Sequence, residues 1–216
     1  VSAPARAQEG AGRVLIASQW MSCNWTEHPL ILRGVTETLE SFGDQWDRHD
    51  DEGIKGDIDH VAAHYDGVVF VETVTKSYED LAVKLSNMSM PVTVANLERN
   101  DLPVSYTCVD HHAIACTAMR MLIDFGHRRI GYVGYKDTLY FYGKMLAAYR
   151  QTLQDADIAV DPELIEASLA SSRSLIGYRG TLRMLMSADP PSAIFAGRDA
   201  FAQGACAAIE EAGLVV

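Results

Sequence analysis

The chain has 216 residues, of which 48% are hydrophobic and 22% are charged, a composition typical of a folded globular protein. Its 18 Lys and Arg residues stand against 29 Asp and Glu residues, so the formal net charge is −11. That charge excludes nucleic-acid binding through the bulk of the surface, because phosphate backbones would be repelled. No apolar run approaches the roughly 18 residues that a membrane span needs, and no signal peptide opens the chain, so we expect no membrane partner and a cytoplasmic location.

Four cysteines are spread along the chain: Cys23, Cys108, Cys116 and Cys206. None belongs to a CxxC pair or to a metal-ligand spacing, so we expect free, mostly buried thiols in a reducing compartment rather than disulfides. We also expect no metal and no cofactor, because the chain has no glycine-rich phosphate-binding motif and no metal-binding motif.

In the first half of the chain, short apolar runs alternate with helical patterns. Residues 1–12, rich in Ala, Gly and charge, indicate a linker. The predicted strands are residues 14–17, 45–48, 67–71 and 91–95. The predicted helices are residues 28–42, 54–64 and 78–88. The first helix ends at Gly43, and its apolar stripe consists of Ile31, Val35, Leu39 and Phe42.

The second half repeats this alternation. Its first helix is predicted from the spacing of Ile114, Ala118, Leu122 and Phe125. A left-handed Gly126 closes that helix, and Gly213 stops the last one. The further predicted helices are residues 141–156, 174–187 and 199–212. The helix at 141–156 carries one apolar face, formed by Tyr142, Leu146, Tyr149 and Leu153. The predicted strands are residues 130–133, 164–167 and 191–196.

Strands that alternate with helices predict an α/β fold with parallel sheets covered on both faces. Two such runs predict two doubly wound lobes, an N-terminal lobe at 13–109 and a C-terminal lobe at 110–216, joined near residues 105–110. Ligands of such folds bind outside the carboxyl ends of the strands, which places a ligand in the cleft between the lobes.

Four sequence blocks carry a family resemblance: DGVVF at 66–70, MPVTVAN at 90–96, LIDFGHRRIG at 122–131 and PPSAIFAGRDAFAQGA at 190–205. In this order they resemble the effector-sensing domain of the LacI/GalR family of bacterial transcription regulators. HPLILRGV at 28–35 is closer to the arabinose-repressor subgroup, in which a winged helix binds DNA. The resemblance implies a type I periplasmic-binding-protein-like fold and a homodimeric, non-enzymatic repressor, whose small-molecule effector controls operator binding.

The resemblance also implies that the chain is a fragment. We expect the second lobe to be truncated and the N-terminal DNA-binding domain to lie outside the chain. The alternative is a solute-binding protein of a sugar transport system, which shares the fold. An enzyme on a doubly wound fold is a third reading, but no catalytic constellation supports it.

The family pattern is broken at three positions. The resemblance places an effector-binding arginine where Met145 stands, an asparagine where Arg198 stands, and a polar residue where Ala113 stands. A neutral sugar needs a ring of polar groups around its hydroxyls. These departures therefore favour a larger, anionic or phosphorylated effector held by Arg198, with a ligand-free sensor as the alternative.

The candidate effector-binding residues follow predicted strand ends or match the family pattern: Trp20, Trp25, Asn96, Tyr140, Lys144, Arg198 and Asp199. For Trp20, Trp25 and Tyr140, stacking on a ligand ring and plain packing are both open. Arg198 either contacts the ligand or forms a salt bridge at the lobe edge. We expect no catalytic residue and no metal ligand.

Overall fold

Parallel strands form two separate sheets in this computed structural model. The structure describes residues 11–18, 28–49, 58–71, 76–96, 98, 101–135, 140–168 and 172–216, without the side chains of 28, 76, 77 and 140–142. The first sheet lies in the unit Val1–Val109 and the second in the unit Asp110–Val216. The predicted α/β class with parallel sheets is confirmed.

The first unit contains a five-stranded parallel sheet in the order β2–β1–β3–β4–β5. Its strands are β1 Arg13–Ser18, β2 Gln45–His49, β3 Gly67–Val71, β4 Val92–Ala95 and β5 Ser105–Thr107. Its helices are α1 His28–Ser41, α2 Ile58–His64 and α3 Lys76–Asn87. Residues 54–57 of the predicted second helix lie outside the described residues.

Strand β1 is buried on both sheet faces, which explains its continuous apolar run. On one face, Leu15 belongs to a core with Phe70 and with Leu85 of α3. On the other face, Ile16 and Val71 form a smaller core against α1. The α1 residues packed there include Ile31, Val35 and Leu39. Phe42, predicted to complete that stripe, is instead 68% exposed, because α1 ends at Ser41 and Phe42 lies in the turn that follows.

The second unit contains a three-stranded parallel sheet in the order β7–β6–β8. Its strands are β6 Ile130–Gly134, β7 Ile165–Ala167 and β8 Ala193–Ala196. Its helices are α4 His111–Asp124, α5 Tyr140–Asp155, α6 Arg173–Leu185 and α7 Asp199–Glu211. Every residue of the central strand β6 is buried. The predicted α5 face is confirmed for Leu146, Tyr149 and Leu153, each at most 2% exposed, while the Tyr142 side chain lies outside the described residues.

The helix-ending glycines behave as predicted. Gly43, Gly126 and Gly213 have φ angles of +75°, +94° and +74°, in the left-handed region that side chains disfavour.

Helix α4 exists as predicted, but the residues that revealed it do not form its buried face. Ala115, Cys116 and Met119 are buried, whereas Ile114 is 52% exposed and Phe125 is 74% exposed. The spacing of apolar residues thus predicted the helix, and the structure shows which of its faces is buried.

Two further expectations change. Residues 105–107, expected in the connection between lobes, form the edge strand β5, which pairs with β4 in parallel.

Cys108, Cys116 and Cys206 are free as expected, but of these three only Cys116 is buried. Cys23 lies outside the described residues.

Candidate functional site

The second sheet has a topological switch point beside its central strand. From β6 the chain moves to β7 on one side and then to β8 on the other. Ligands of open α/β sheets bind at the carboxyl ends of the strands that flank such a switch. Here those ends lead into Tyr135 after β6 and into Gly197 and Arg198 after β8.

Arg198 and Asp199 both lie at this edge. Arg198 is the half-buried N-cap residue of α7, with an extended backbone (φ −163°, ψ 163°) and no capping hydrogen bond from its side chain. Asp199 is exposed in the first turn of α7, where a carboxylate complements the helix dipole. The two residues therefore present charges of opposite sign at the end of β8.

Met145, where the family resemblance implies an arginine, is only 9% exposed. Its sulfur lies 3.7 Å from the position that a Cβ on Gly197 would take, directly before Arg198. The sheet edge is therefore apolar at this point, and its charge comes from other residues.

Lys144 is half-buried on α5, and its charge affects Asp110, the N-cap residue of α4. A hydrogen bond from the Ala113 amide to the Asp110 carboxylate, 2.9 Å long, is the main cause that lowers the pKa of Asp110, and the Lys144 charge lowers it further. Lys144 is thus placed toward the N-cap of α4. Tyr140 is the first residue of α5, and its side chain lies outside the described residues.

An arginine that the sequence reasoning missed also lies at this edge. Arg173 is the first residue of α6, after β7, and its guanidinium carbon lies 5.7 Å from the centroid of the Tyr135 ring. The Tyr135 ring in turn meets Phe201 of α7 edge-on, with centroids 5.1 Å apart and an interplanar angle of 87°. The Arg173 guanidinium thus lies on the Tyr135 ring, which is itself supported by Phe201.

Two glycines bring the beginnings of α6 and α7 together. A Cβ on Gly177 would overlap the Phe201 carbonyl, and a Cβ on Gly204 would overlap the Ser174 carbonyl. Backbone-to-backbone packing at these points places the first turns of both helices side by side. The two glycines are a sequence signal of close helix packing, but they do not by themselves point to Arg173.

Asn96 ends β4 in the first unit. Its φ of +61° is left-handed, a conformation that asparagine tolerates better than most residues. It borders a cavity of about 500 Å³ between α1 and the adjoining sheet face. The lining is mostly apolar and includes Ile31, Val35, Leu39, Val69, Ala95 and Val109. Trp20 and Trp25 lie outside the described residues.

Within the described part of the chain, no group of three or more His, Cys, Asp or Glu side chains could hold a metal ion. None of the helices described there is both long enough and apolar enough to cross a membrane.

Comparison with known proteins assigns a domain type to the second unit. Residues 119–216 match the periplasmic binding protein-like domain. Catabolite control protein A of Priestia megaterium is 25% identical over 154 residues, which cover 70% of this chain and 45% of that protein. The chain thus spans less than half the length of the curated relatives it matches.

Solved structures share the fold across both units. A LacI-family regulatory protein from Chloroflexus aggregans superposes with a TM-score of 0.78 at 20% identity, covering 93% of this chain and 74% of that one. A sugar-binding LacI-family transcriptional regulator from Escherichia coli, solved with phosphate, gives 0.76 at 21% identity, covering 94% and 74%.

Proposed function

We propose that this chain, a domain of the LacI/GalR effector-binding type, is the small-molecule sensor of a bacterial transcription regulator. The observation that carries the proposal is the placement of polar and charged residues directly after parallel strands. Arg198 and Asp199 follow β8, and Asn96 follows β4. Ligands of open α/β sheets are held at this edge. The relatives are transcription regulators, which favours this function over solute transport.

The sensor acts through differential affinity. A ligand that binds one conformation of the domain more tightly than another shifts the population toward it. The same coupling changes the affinity of the regulator for its operator, and bound operator changes the affinity for the ligand by the same factor. We assign DNA contact to a separate DNA-binding domain of a cytoplasmic homodimer, because the −11 charge of this chain disfavours contact with phosphate backbones.

The proposed effector is an acidic or phosphorylated sugar. Arg198 supplies a guanidinium at the switch point, and guanidinium groups hold carboxylates or phosphates through two parallel hydrogen bonds. The structural relative from Escherichia coli, which is sugar-binding, was solved with phosphate. The other proposed effector contacts are Trp20, Trp25, Asn96, Tyr140, Lys144 and Asp199.

Calorimetric titration of the full-length protein tests the sensing role. The matched probes are glucose 6-phosphate and gluconate against neutral glucose. We expect saturable binding of an anionic probe and weaker binding of glucose. Equal affinity for charged and neutral probes would contradict the proposed effector class, and no binding by any small sugar or sugar acid would contradict the sensor itself.

A further inference from the structure

We infer that Arg173, supported by the ring of Tyr135, is the anchor for a phosphate group of the bound small molecule. The inference rests on the proposed sensor function and assigns a ligand group to a residue outside the set predicted from sequence.

The guanidinium of Arg173 lies against an aromatic ring, and no carboxylate of the described residues forms an ion pair with it. Its carbon lies 5.7 Å from the Tyr135 ring centroid, within the range in which an aromatic face attracts a cation. Phe201 braces that ring from the side. Stacking on the ring face therefore orders the arginine side chain.

The polar atoms of Arg173 lack partners among the described residues. Its Nε is buried and makes no hydrogen bond there, and no described carboxylate forms an ion pair with it. A buried donor without a partner costs free energy that a ligand oxygen would recover.

Two other arginines of the second unit, Arg129 and Arg183, differ in this respect. Arg129 forms ion pairs with Asp161 at 3.1 Å and Asp189 at 2.9 Å. Arg183 donates to the Glu163 carbonyl at 2.7 Å and lies 3.5 Å from the Glu166 carboxylate. These two arginines connect separate segments of the unit, whereas Arg173 forms no hydrogen bond or ion pair with a described residue.

The surroundings of Arg173 favour a dianion. Arg173 begins the 13-residue helix α6, and Arg198 is the N-cap residue of the 13-residue helix α7. The two helices pack against each other through Gly177 and Gly204. Both helix beginnings carry partial positive charge. Two guanidinium groups and two helix N-termini on one side of the sheet suit a phosphate monoester better than a singly charged carboxylate.

The test observes the Nε–H resonance of Arg173 by NMR in the full-length protein labelled with ¹⁵N-arginine. The signal is assigned from its loss in Arg173→Lys. The probes are glucose 6-phosphate, inorganic phosphate, gluconate and glucose. We expect glucose 6-phosphate to shift the signal saturably, inorganic phosphate to shift it more weakly, and glucose to leave it in place.

Variants give an independent readout by calorimetry with glucose 6-phosphate. Arg173→Ala is expected to weaken binding by about tenfold to a hundredfold, as the loss of charge-assisted hydrogen bonds does, and Arg173→Lys by less. Arg179→Ala is the matched control, because Arg179 is an exposed arginine on the same helix. Its affinity should equal that of the wild type.

The inference is overturned if neither phosphate probe moves the Arg173 signal, or if Arg173→Ala binds glucose 6-phosphate as tightly as Arg179→Ala does. A signal that gluconate shifts and phosphate does not would also overturn it, in favour of a carboxylate. The proposed sensor function fails separately: it fails if ligand bound at Arg173 leaves the DNA affinity of the full-length protein unchanged.

Discussion

Gly204 of α7 lies directly against the backbone of Ser174 in α6. A Cβ at position 204 would overlap the Ser174 carbonyl oxygen and lie 2.7 Å from the Tyr178 amide nitrogen. Gly177 makes the reciprocal contact with Phe201. This close packing sets the positions of the first turns of both helices, and with them the aromatic support of Arg173.

Gly204→Ala is therefore expected to destabilise the protein. The added methyl group would force two helix backbones apart, and overpacking of this kind costs about 1–3 kcal/mol. Urea unfolding followed by circular dichroism measures the change. Gly34→Ala is the control, because nothing lies within 4 Å of a Cβ there. Since alanine is favoured over glycine in helices by about 0.5–1 kcal/mol, the control should gain stability. Equal stability of Gly204→Ala and the wild type would refute the close contact.

The raised pKa of the Tyr149 hydroxyl predicts that the free energy of unfolding falls at alkaline pH. Its hydroxyl donates to the Ile130 carbonyl at 2.8 Å, and burial is the main cause that raises its pKa to about 12. Because the folded pKa lies above the unfolded value of 10.0, the contribution is complete below pH 10 and is lost as pH rises toward 12. One unit above the unfolded pKa, wild type should have lost about 1.4 kcal/mol relative to Tyr149→Phe.

The measurement is urea unfolding of both proteins between about pH 9 and pH 11, where the difference between them isolates Tyr149 from the other tyrosines. At neutral pH the variant should be less stable by about 1 kcal/mol, the net worth of a buried hydrogen bond. A stability difference that does not change with pH would show that the hydroxyl titrates normally.

Two substitutions of Asn96 distinguish a role of its left-handed backbone in stability from a role of its side chain in ligand binding. At its φ of +61°, Asn96→Ala should cost about 1–2 kcal/mol of stability, and Asn96→Gly should cost much less. If the side chain also contacts the effector, both variants bind the anionic probe more weakly. Thermal unfolding and calorimetry on the two variants resolve the effects. Equal stability of Asn96→Ala and Asn96→Gly would contradict the role assigned to the backbone.

Arg198→Ala is expected to weaken binding of glucose 6-phosphate by roughly 1.5–3 kcal/mol, the range for a hydrogen bond to a charged group. Binding of glucose should change little. Calorimetry on the full-length protein measures both. If Arg198→Ala leaves the affinity for the phosphorylated probe intact, Arg198 has a structural role at the start of α7.

Apolar patterning predicted most of the fold, because buried strands such as Gly67–Val71 and Ile130–Gly134 are continuous apolar runs between turns. It failed where local sequence does not encode burial. The edge strand Ser105–Thr107 is short and polar, so only its pairing with β4 reveals it. Ile114 of α4 and Phe125 directly after it are exposed, although apolar residues at this spacing are typical of a buried helix face.

The candidate site was predictable only in part. Arg198 and Asn96 follow apolar strands directly, so their positions at the sheet edge could be inferred from the sequence. The position of Arg173 could not be inferred in this way, because its surroundings include Tyr135 and Phe201, which lie on other elements. Glycines within two helices are a signal of close packing, but the sequence alone does not say which helices meet.

The central claim is that this domain couples a small molecule to DNA binding. The most direct test is fluorescence anisotropy of the full-length protein with labelled DNA from upstream of its own gene, in the absence and presence of saturating glucose 6-phosphate. We expect the dissociation constant for DNA to change by about fivefold or more, the lower end of typical allosteric coupling. In Arg198→Ala, the ligand concentration needed for the half-maximal effect should rise by about tenfold to a hundredfold. An unchanged dissociation constant, with the ligand shown to be bound, would contradict the account.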